Sequence, residues 1–221
     1  MRRWLVVLVL VLTGIVVAAG ATLFLIWDLD WRWEPHTVTK DQDQIAKALD
    51  QSGWVSPHLT GPKLYLIVYR DCPDCTAFET AELAKLQNAQ VDTRIVVIAR
   101  PDLNGQALST AAERSTVAEL WLNRSWKLFQ QWSLASPAAW SAPGIAPADG
   151  DAARTAVIEA GRDLVSELTP EFGDNGVKFA YPTLVWWTRD GRMRACACAA
   201  PQTWKYVEAE LAPPTPPPTT P

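Results

Sequence analysis

The chain has 221 residues, is 48% hydrophobic and carries a formal net charge of −4, a length that suits one domain of ordinary size plus appendages. That is enough to bury a core without disulfide staples, and the mild acidity gives no basic patch of the kind nucleic acid requires, so no nucleic-acid partner is expected. With only two His, a His-rich metal centre is excluded and a Ser-His-Asp triad survives only if His58 supplies the base.

Residues 5–26 form an uncharged, apolar or small run of 22, and about 20 such residues cross a bilayer as a helix. Arg2 and Arg3 precede it, and Asp28, Asp30 and Glu34 follow. Positive charge stays cytoplasmic, so residues 1–4 are expected inside, 5–27 as a single-pass inner-membrane anchor, and everything beyond in the periplasm. Trp27, Trp31 and Trp33 suit an interfacial aromatic belt. A cleaved signal peptide is the competing reading, with Ala19-Gly20-Ala21 as its cleavage site, although the run exceeds the usual apolar segment of such peptides. Either reading exports the remainder to a compartment that permits disulfides.

Residues 28–59 read as a juxtamembrane linker with a short helix at 41–51, whose Ile45, Ala48 and Leu49 fall at helical spacing and which Gly53 ends. Residues 63–69 are apolar, β-branched and aromatic, a buried strand. The chain then runs Asp71-Cys72-Pro73-Asp74-Cys75, with a helix expected to about Asn88 and a second buried strand over 93–99. Residues 108–170 are helical in pattern, with Val117, Leu120, Trp121, Leu128 and Trp132 on one face and Val157, Leu164, Val165 and Leu168 on another. Two strand-like runs, 183–187 and 192–198, flank Arg189-Asp190-Gly191, a hairpin signal. A last helix over 202–211 precedes a Pro-rich tail, 212–221, whose composition predicts an extended or disordered segment.

The chemistry concentrates at Cys72-Pro73-Asp74-Cys75. A helix start offers unpaired N–H groups and a positive dipole end, which stabilise a thiolate on Cys72. Pro73 costs nothing at the first helical position. Cys72 is expected to be exposed and nucleophilic, and Cys75, one turn on, more buried and resolving, with exchange passing through a mixed disulfide. Tyr181-Pro182-Thr183 opens the later hairpin, and a Pro there is ordinary by itself.

Taken with the strand-CxxC-helix upstream, this motif gives the chain a resemblance to the thioredoxin superfamily. The element order is most similar to periplasmic disulfide isomerase catalytic domains of the DsbC/DsbG type. The resemblance covers residues 60–211 and implies an α/β (α+β) thioredoxin-like fold with a helical insertion at 108–170. It implies an enzyme, a thiol:disulfide oxidoreductase without a cofactor, acting on exported proteins with disulfides and regenerated by a redox partner. Cys72 is then the attacking and Cys75 the resolving cysteine, Pro182 a cis-proline lining the substrate groove, and Tyr181 the residue whose backbone pairs with bound peptide. Residues 28–60 are too short for the dimerisation domain of such isomerases, and Tyr181 is bulkier than the usual residue before the cis-proline. Asp71 and Asp74 flank the nucleophile and disfavour a thiolate, with Arg70 compensating in part, which leans towards a reductase or isomerase.

Cys196 and Cys198 are separate. Counting outward from a two-residue turn at Asp190-Gly191 places Cys198 opposite Thr183, beside Pro182, with both thiols on one side of the sheet. They read either as a relay or cap for Cys72–Cys75, or as two small buried hydrophobes or a structural link. Two other function classes stay open: soft-metal binding by the four thiolates, and a non-catalytic thioredoxin-like scaffold in an envelope complex. His36 and His58 are expected in exposed loops, and Glu79 and Glu82 on a solvated face of the CxxC helix, with no buried acid identifiable beneath the resolving cysteine.

Overall fold

The computed structural model describes residues 2–212, which divide after Glu34 into two compact units; the expected tail lies outside the described residues beyond Ala212. The first unit is helix α1 (Arg2–Leu29) followed by a 3-10 turn, Trp31–Trp33. By length and composition this is long and apolar enough to cross a membrane. At its end Arg32 pairs with Asp28 at 2.6 Å and stacks over the rings of Trp33 and Trp27. The Trp33 indole donates to the Asp28 carbonyl at 2.8 Å. Charges there are neutralised among indoles, a composition that suits a headgroup layer.

The second unit begins at Pro35. Its sheet has the order β1 (His36–Thr37), β5 (Met193–Ala197), β4 (Thr183–Trp187), β2 (Lys63–Val68), β3 (Asp92–Val97); only β2 and β3 run parallel. Helices are α2 (Gln42–Gln51), α3 (Pro73–Asn88), α4 (Ala111–Asn123), α5 (Trp126–Leu134), α6 (Ala152–Asp174) and α7 (Pro201–Leu211). Strand residues alternate between two buried clusters, as a pleat requires. Leu64, Leu66, Val68, Leu184 and Trp186 pack with Phe78 and Leu86 of α3 and Trp204 and Val207 of α7. Tyr65, Ile67, Val185 and Met193 pack with Ile45 and Leu49 of α2 and Leu168 and Phe172 of α6. Burial on both faces is why β2 reads as an unbroken apolar run.

Four expectations are corrected. The stretch expected as linker up to residue 59 contributes an edge strand from His36 and, at Val55, a two-way backbone pairing with Ile95, so the compact unit starts at Pro35 rather than at 60. A two-residue strand has too little alternation to be legible. The first helical stripe of the insertion is broken into α4 and α5 by Arg124 in the left-handed region and Ser125, whose hydroxyl caps α5. Helix α6 runs through Pro170 to Asp174, held by Leu168 and Phe172, both fully buried, which outweighs the local cost of the proline. Finally, the β4–β5 turn has three residues, with Gly191 at φ 81° and Thr188 bonding Arg192 across it. Thr183 therefore faces Ala197, and the Cys198 N–H donates to Pro182 at 2.8 Å.

The insertion is pinned to the sheet by Trp121 of α4. Its indole donates to the Val97 carbonyl at 2.9 Å, and its ring fills a slot between Gly53 and Gly161. A Cβ at Gly161 would lie 3.0 Å from the ring, and one at Gly53 would fall inside it. Gly53→Ala is expected to lower stability by about 1–3 kcal/mol, the cost of overpacking a filled site, measured as a lower midpoint in urea unfolding. Gly144→Ala, where nothing lies near but φ is 73°, would separate backbone strain from this clash.

Candidate active site

Strand β2 delivers the chain to α3 through Tyr69-Arg70-Asp71. Cys72 is extended (φ −86°, ψ 109°) and occupies the N-cap. Its Sγ accepts the Cys75 N–H at 3.0 Å, and its carbonyl accepts the Thr76 N–H at 3.0 Å and the Thr76 hydroxyl at 3.1 Å. The sulfur thus takes the place usually filled by a Ser or Asp oxygen at a helix start. Cys72 and Cys75 form a disulfide with Cα atoms 5.1 Å apart. Cys72 is as buried as Cys75, each 2% exposed, contrary to the expected exposed nucleophile. The reason is its capping role, which turns the sulfur onto the helix. Asp71, Pro73 and Asp74 are exposed around the pair.

The Tyr181–Pro182 peptide is cis. The β2–β4 pairing ends at Ile67–Thr183, and just beyond it the Tyr69 and Tyr181 rings meet edge-on at 5.0 Å. Tyr69 lies under the Arg100 guanidinium at 4.1 Å. Burial pushes the Tyr181 phenol up to about 12. Thr183, expected beside Tyr181 and Pro182 at the groove, is fully buried, and its hydroxyl donates to the Ala180 carbonyl at 2.5 Å. Its side chain closes the loop before the strand instead of facing a groove.

Glu79 and Glu82, expected on a solvated face of α3, are drawn into its packing, and Glu113 was not singled out in the sequence. Glu79, one turn after Cys75, is half-buried, and burial pushes its carboxyl up to about 7 against the pull of Arg70. It lines a 440 Å³ pocket with Cys75, Arg70, Trp126, Phe129 and Trp132. Arg70 closes one side, with its guanidinium 5.0 Å from the Trp132 ring and donating to the Ala135 carbonyl. Glu82 is buried rather than solvated; Lys85 holds one oxygen at 2.9 Å, and burial raises its pKa, with the neighbouring Glu208 adding to the effect. Glu113 completes a capping box with Thr110 and is pushed up to about 6 by burial. The signal for Glu79 was its i+4 spacing from Cys75, and for Glu113 the Thr-x-x-Glu pattern.

Cys196 and Cys198 are also disulfide-bonded, with Cα atoms 5.2 Å apart, and are 5% and 0% exposed. They share one apolar cluster with Cys72 and Cys75. His36 and His58 are exposed, and the His58 ring lies against Trp54. Among the described residues no group of three or more His, Cys, Asp or Glu is placed to hold a metal ion.

No family model matches the chain, and no curated protein matches it. Among solved structures, BcfH of Salmonella enterica Typhimurium superposes with a TM-score of 0.51 at 14% identity, covering 95% of this chain and 93% of that one. Proteus mirabilis ScsC in a compact conformation gives 0.48 at 15% identity over 92% and 94%. A periplasmic thioredoxin-like protein from Salmonella enterica serovar Typhimurium gives 0.45 at 17% over 78% and 97%. The fold is thioredoxin-like, a mixed five-stranded sheet between helices with a helical insertion between β3 and β4.

Proposed function

We propose that the chain is a thiol–disulfide oxidoreductase, anchored by α1 in the inner membrane with its thioredoxin-like unit in the periplasm, acting on exported proteins with disulfides. The observation that carries this is the Cys72–Cys75 disulfide at the start of α3, with Cys72 accepting the Cys75 N–H beside a pocket that holds Glu79. In the reduced form the same N–H and the α3 dipole stabilise a Cys72 thiolate. That thiolate attacks a substrate disulfide, forming a mixed disulfide and releasing the substrate's other sulfur as a thiolate. Glu79, with its carboxyl near neutrality, accepts the Cys75 proton, and the Cys75 thiolate attacks Cys72 Sγ, releasing the substrate sulfur as a thiolate, which takes the proton back from Glu79. Tyr181 and Pro182 align the substrate backbone beside Tyr69.

The exposed carboxylates of Asp71 and Asp74 oppose the thiolate, which makes the reduced form less favoured and the pair a weak oxidant, suited to reduction or isomerisation. A redox partner on the same side of the membrane keeps the pair reduced.

Cys72→Ser is expected to abolish insulin reduction and the refolding of a scrambled disulfide substrate; activity that survives, or a silent wild type with an intact fold, refutes the reading and leaves a scaffold. The equilibrium potential of Cys72–Cys75 is expected below about −180 mV, well away from the roughly −120 mV of strong periplasmic oxidants.

Glu79 also links activity and stability to pH. Its carboxyl is raised from 4.5 to about 7 in the fold, so the native state holds the proton more tightly than the unfolded chain. Stability is then complete below about pH 4.5 and declines as pH rises to about 7, by up to about 3 kcal/mol. Glu79→Gln is expected to flatten that decline in urea titrations at pH 5 and pH 8. The same variant is expected to slow resolution of the mixed disulfide at pH 8 by about 10- to 100-fold while leaving its formation unchanged, read by quenched-flow trapping.

A further inference from the structure

Four cysteines, paired two and two, sit in one buried cluster. The oxidoreductase reading uses only Cys72 and Cys75. The i, i+2 link of Cys196 to Cys198 spans the end of β5, a strand already held by its ladder on β4. Closing so short a loop restricts the unfolded chain least, and the unit has a core on both faces of its sheet, so a staple there adds little.

Its placement is the informative feature. The β2–β4 pairing ends at Ile67–Thr183, and just beyond it the Cys198 N–H bonds the Pro182 carbonyl at 2.8 Å. Pro182 and Cys198 therefore lie side by side at the ends of β4 and β5, about 5 Å apart. Val68 and Cys198 point to the α3 face with Cys72 and Cys75. Cys72 follows Val68 by four residues and bonds back to the turn through Tyr69 at 3.4 Å. From above, Trp204 covers the pair: its indole donates to the Cys198 carbonyl at 2.9 Å, and its ring meets Phe78 of α3 edge-on at 5.5 Å. Cys198 is fully buried, whereas Cys72 lies between the exposed Asp71 and Pro73. The other thiols in the chain are Cys72 and Cys75.

We propose that Cys196–Cys198 is a second redox couple that exchanges electrons with Cys72–Cys75 through a Cys72–Cys198 mixed disulfide, storing a second electron pair behind the outer site. This rests on the oxidoreductase reading, with an incoming protein dithiol as reductant. Once that dithiol has reduced the outer pair, the Cys72 thiolate attacks Cys198 Sγ. The Cys72–Cys198 bond forms, the Cys196–Cys198 bond breaks, and Cys196 leaves as a thiolate. Cys75 passes its proton to Cys196 and, as a thiolate, attacks Cys72 Sγ. The Cys72–Cys75 bond forms again and Cys198 leaves as a thiolate. Two electrons and one proton have moved inward; a second reduction of the outer pair leaves the protein with four thiols, and the reverse sequence delivers both pairs outward.

The test uses the full chain in detergent micelles with reduced thioredoxin as the protein dithiol. Wild type is expected to consume two equivalents of dithiol and expose four alkylatable thiols. In Cys72→Ser the reduction of Cys196–Cys198 is expected to slow at least 100-fold, and in Cys75→Ser non-reducing peptide mapping is expected to recover a Cys72–Cys198 link with Cys196 free. The relay is overturned if wild type takes up one equivalent with Cys196–Cys198 intact, or if Cys72→Ser reduces that pair at the wild-type rate. It is also overturned if Cys75→Ser holds Cys72 free beside an intact Cys196–Cys198. Those outcomes leave the outer pair cycling, and the Cys196→Ala/Cys198→Ala variant is expected to cycle it with one equivalent. Failure of the outer pair to react in both wild type and that double variant overturns the oxidoreductase reading and the relay with it.

Discussion

Strand β4 pairs antiparallel with both β2 and β5, and the candidate site depends on that double register. It sets Tyr181 against Tyr69 and Cys198 beside Pro182. A slip of one residue between β4 and β5 would exchange the faces, turning the cysteines towards α6 and the Met193 and Ala195 side chains towards α3. Two features hold the register. The three-residue turn closes through Thr188 and Gly191, and Trp186 is buried completely while its indole donates to Glu210 of α7 at 2.7 Å. Exposing one such side chain forfeits about 2–3 kcal/mol, a large share of the stability of an ordinary domain.

A second constraint is the shortage of cations around α3. Glu79, Glu82 and Glu113 sit in or beside apolar walls, and the nearby charges that counter them are Arg70, Lys85 and Arg100. An ionised carboxylate without a partner is costly in such surroundings, and the group answers by holding its proton to higher pH. The helix start has the opposite effect on sulfur, because backbone N–H groups favour the anion. One helix therefore holds, within about two turns, a raised acid at Glu79 and a backbone N–H on the Cys72 sulfur. In the proposed cycle this difference assigns attack to Cys72 and proton acceptance to Glu79.

The backbone plan was readable because its signals are local. The apolar runs of β2 and β4, the Cys72-Pro73 helix start and the Pro before β4 each depend on a few adjacent residues. The misjudged features depend on distant ones. His36 and Thr37 are a strand only because β5 offers them an edge. Glu82 looked solvated because nothing in its neighbours shows that α7 lies over α3. Helix α6 passes Pro170 because its core face is anchored on both sides. The Cys198 misplacement was smaller in cause and larger in effect: one extra residue in a turn moved Thr183 off the cysteine face.

Surroundings order the sulfur chemistry. Asp71, Pro73 and Asp74 are exposed around Cys72 and Cys75, whereas Cys198 is fully enclosed. A disulfide that solvent thiols cannot approach is exchanged only with sulfur already inside the protein, since exchange requires a thiolate in line with the bond it breaks. The cluster around Cys198 is closed by Trp204 and Phe78, and it also holds Cys72. The same apolar wall shields the Cys198 sulfur from unspecific reduction. An inner pair of that kind gives up its electrons chiefly to an oxidised Cys72–Cys75, and the direction of flow is then set by whichever partner last met the outer cysteines.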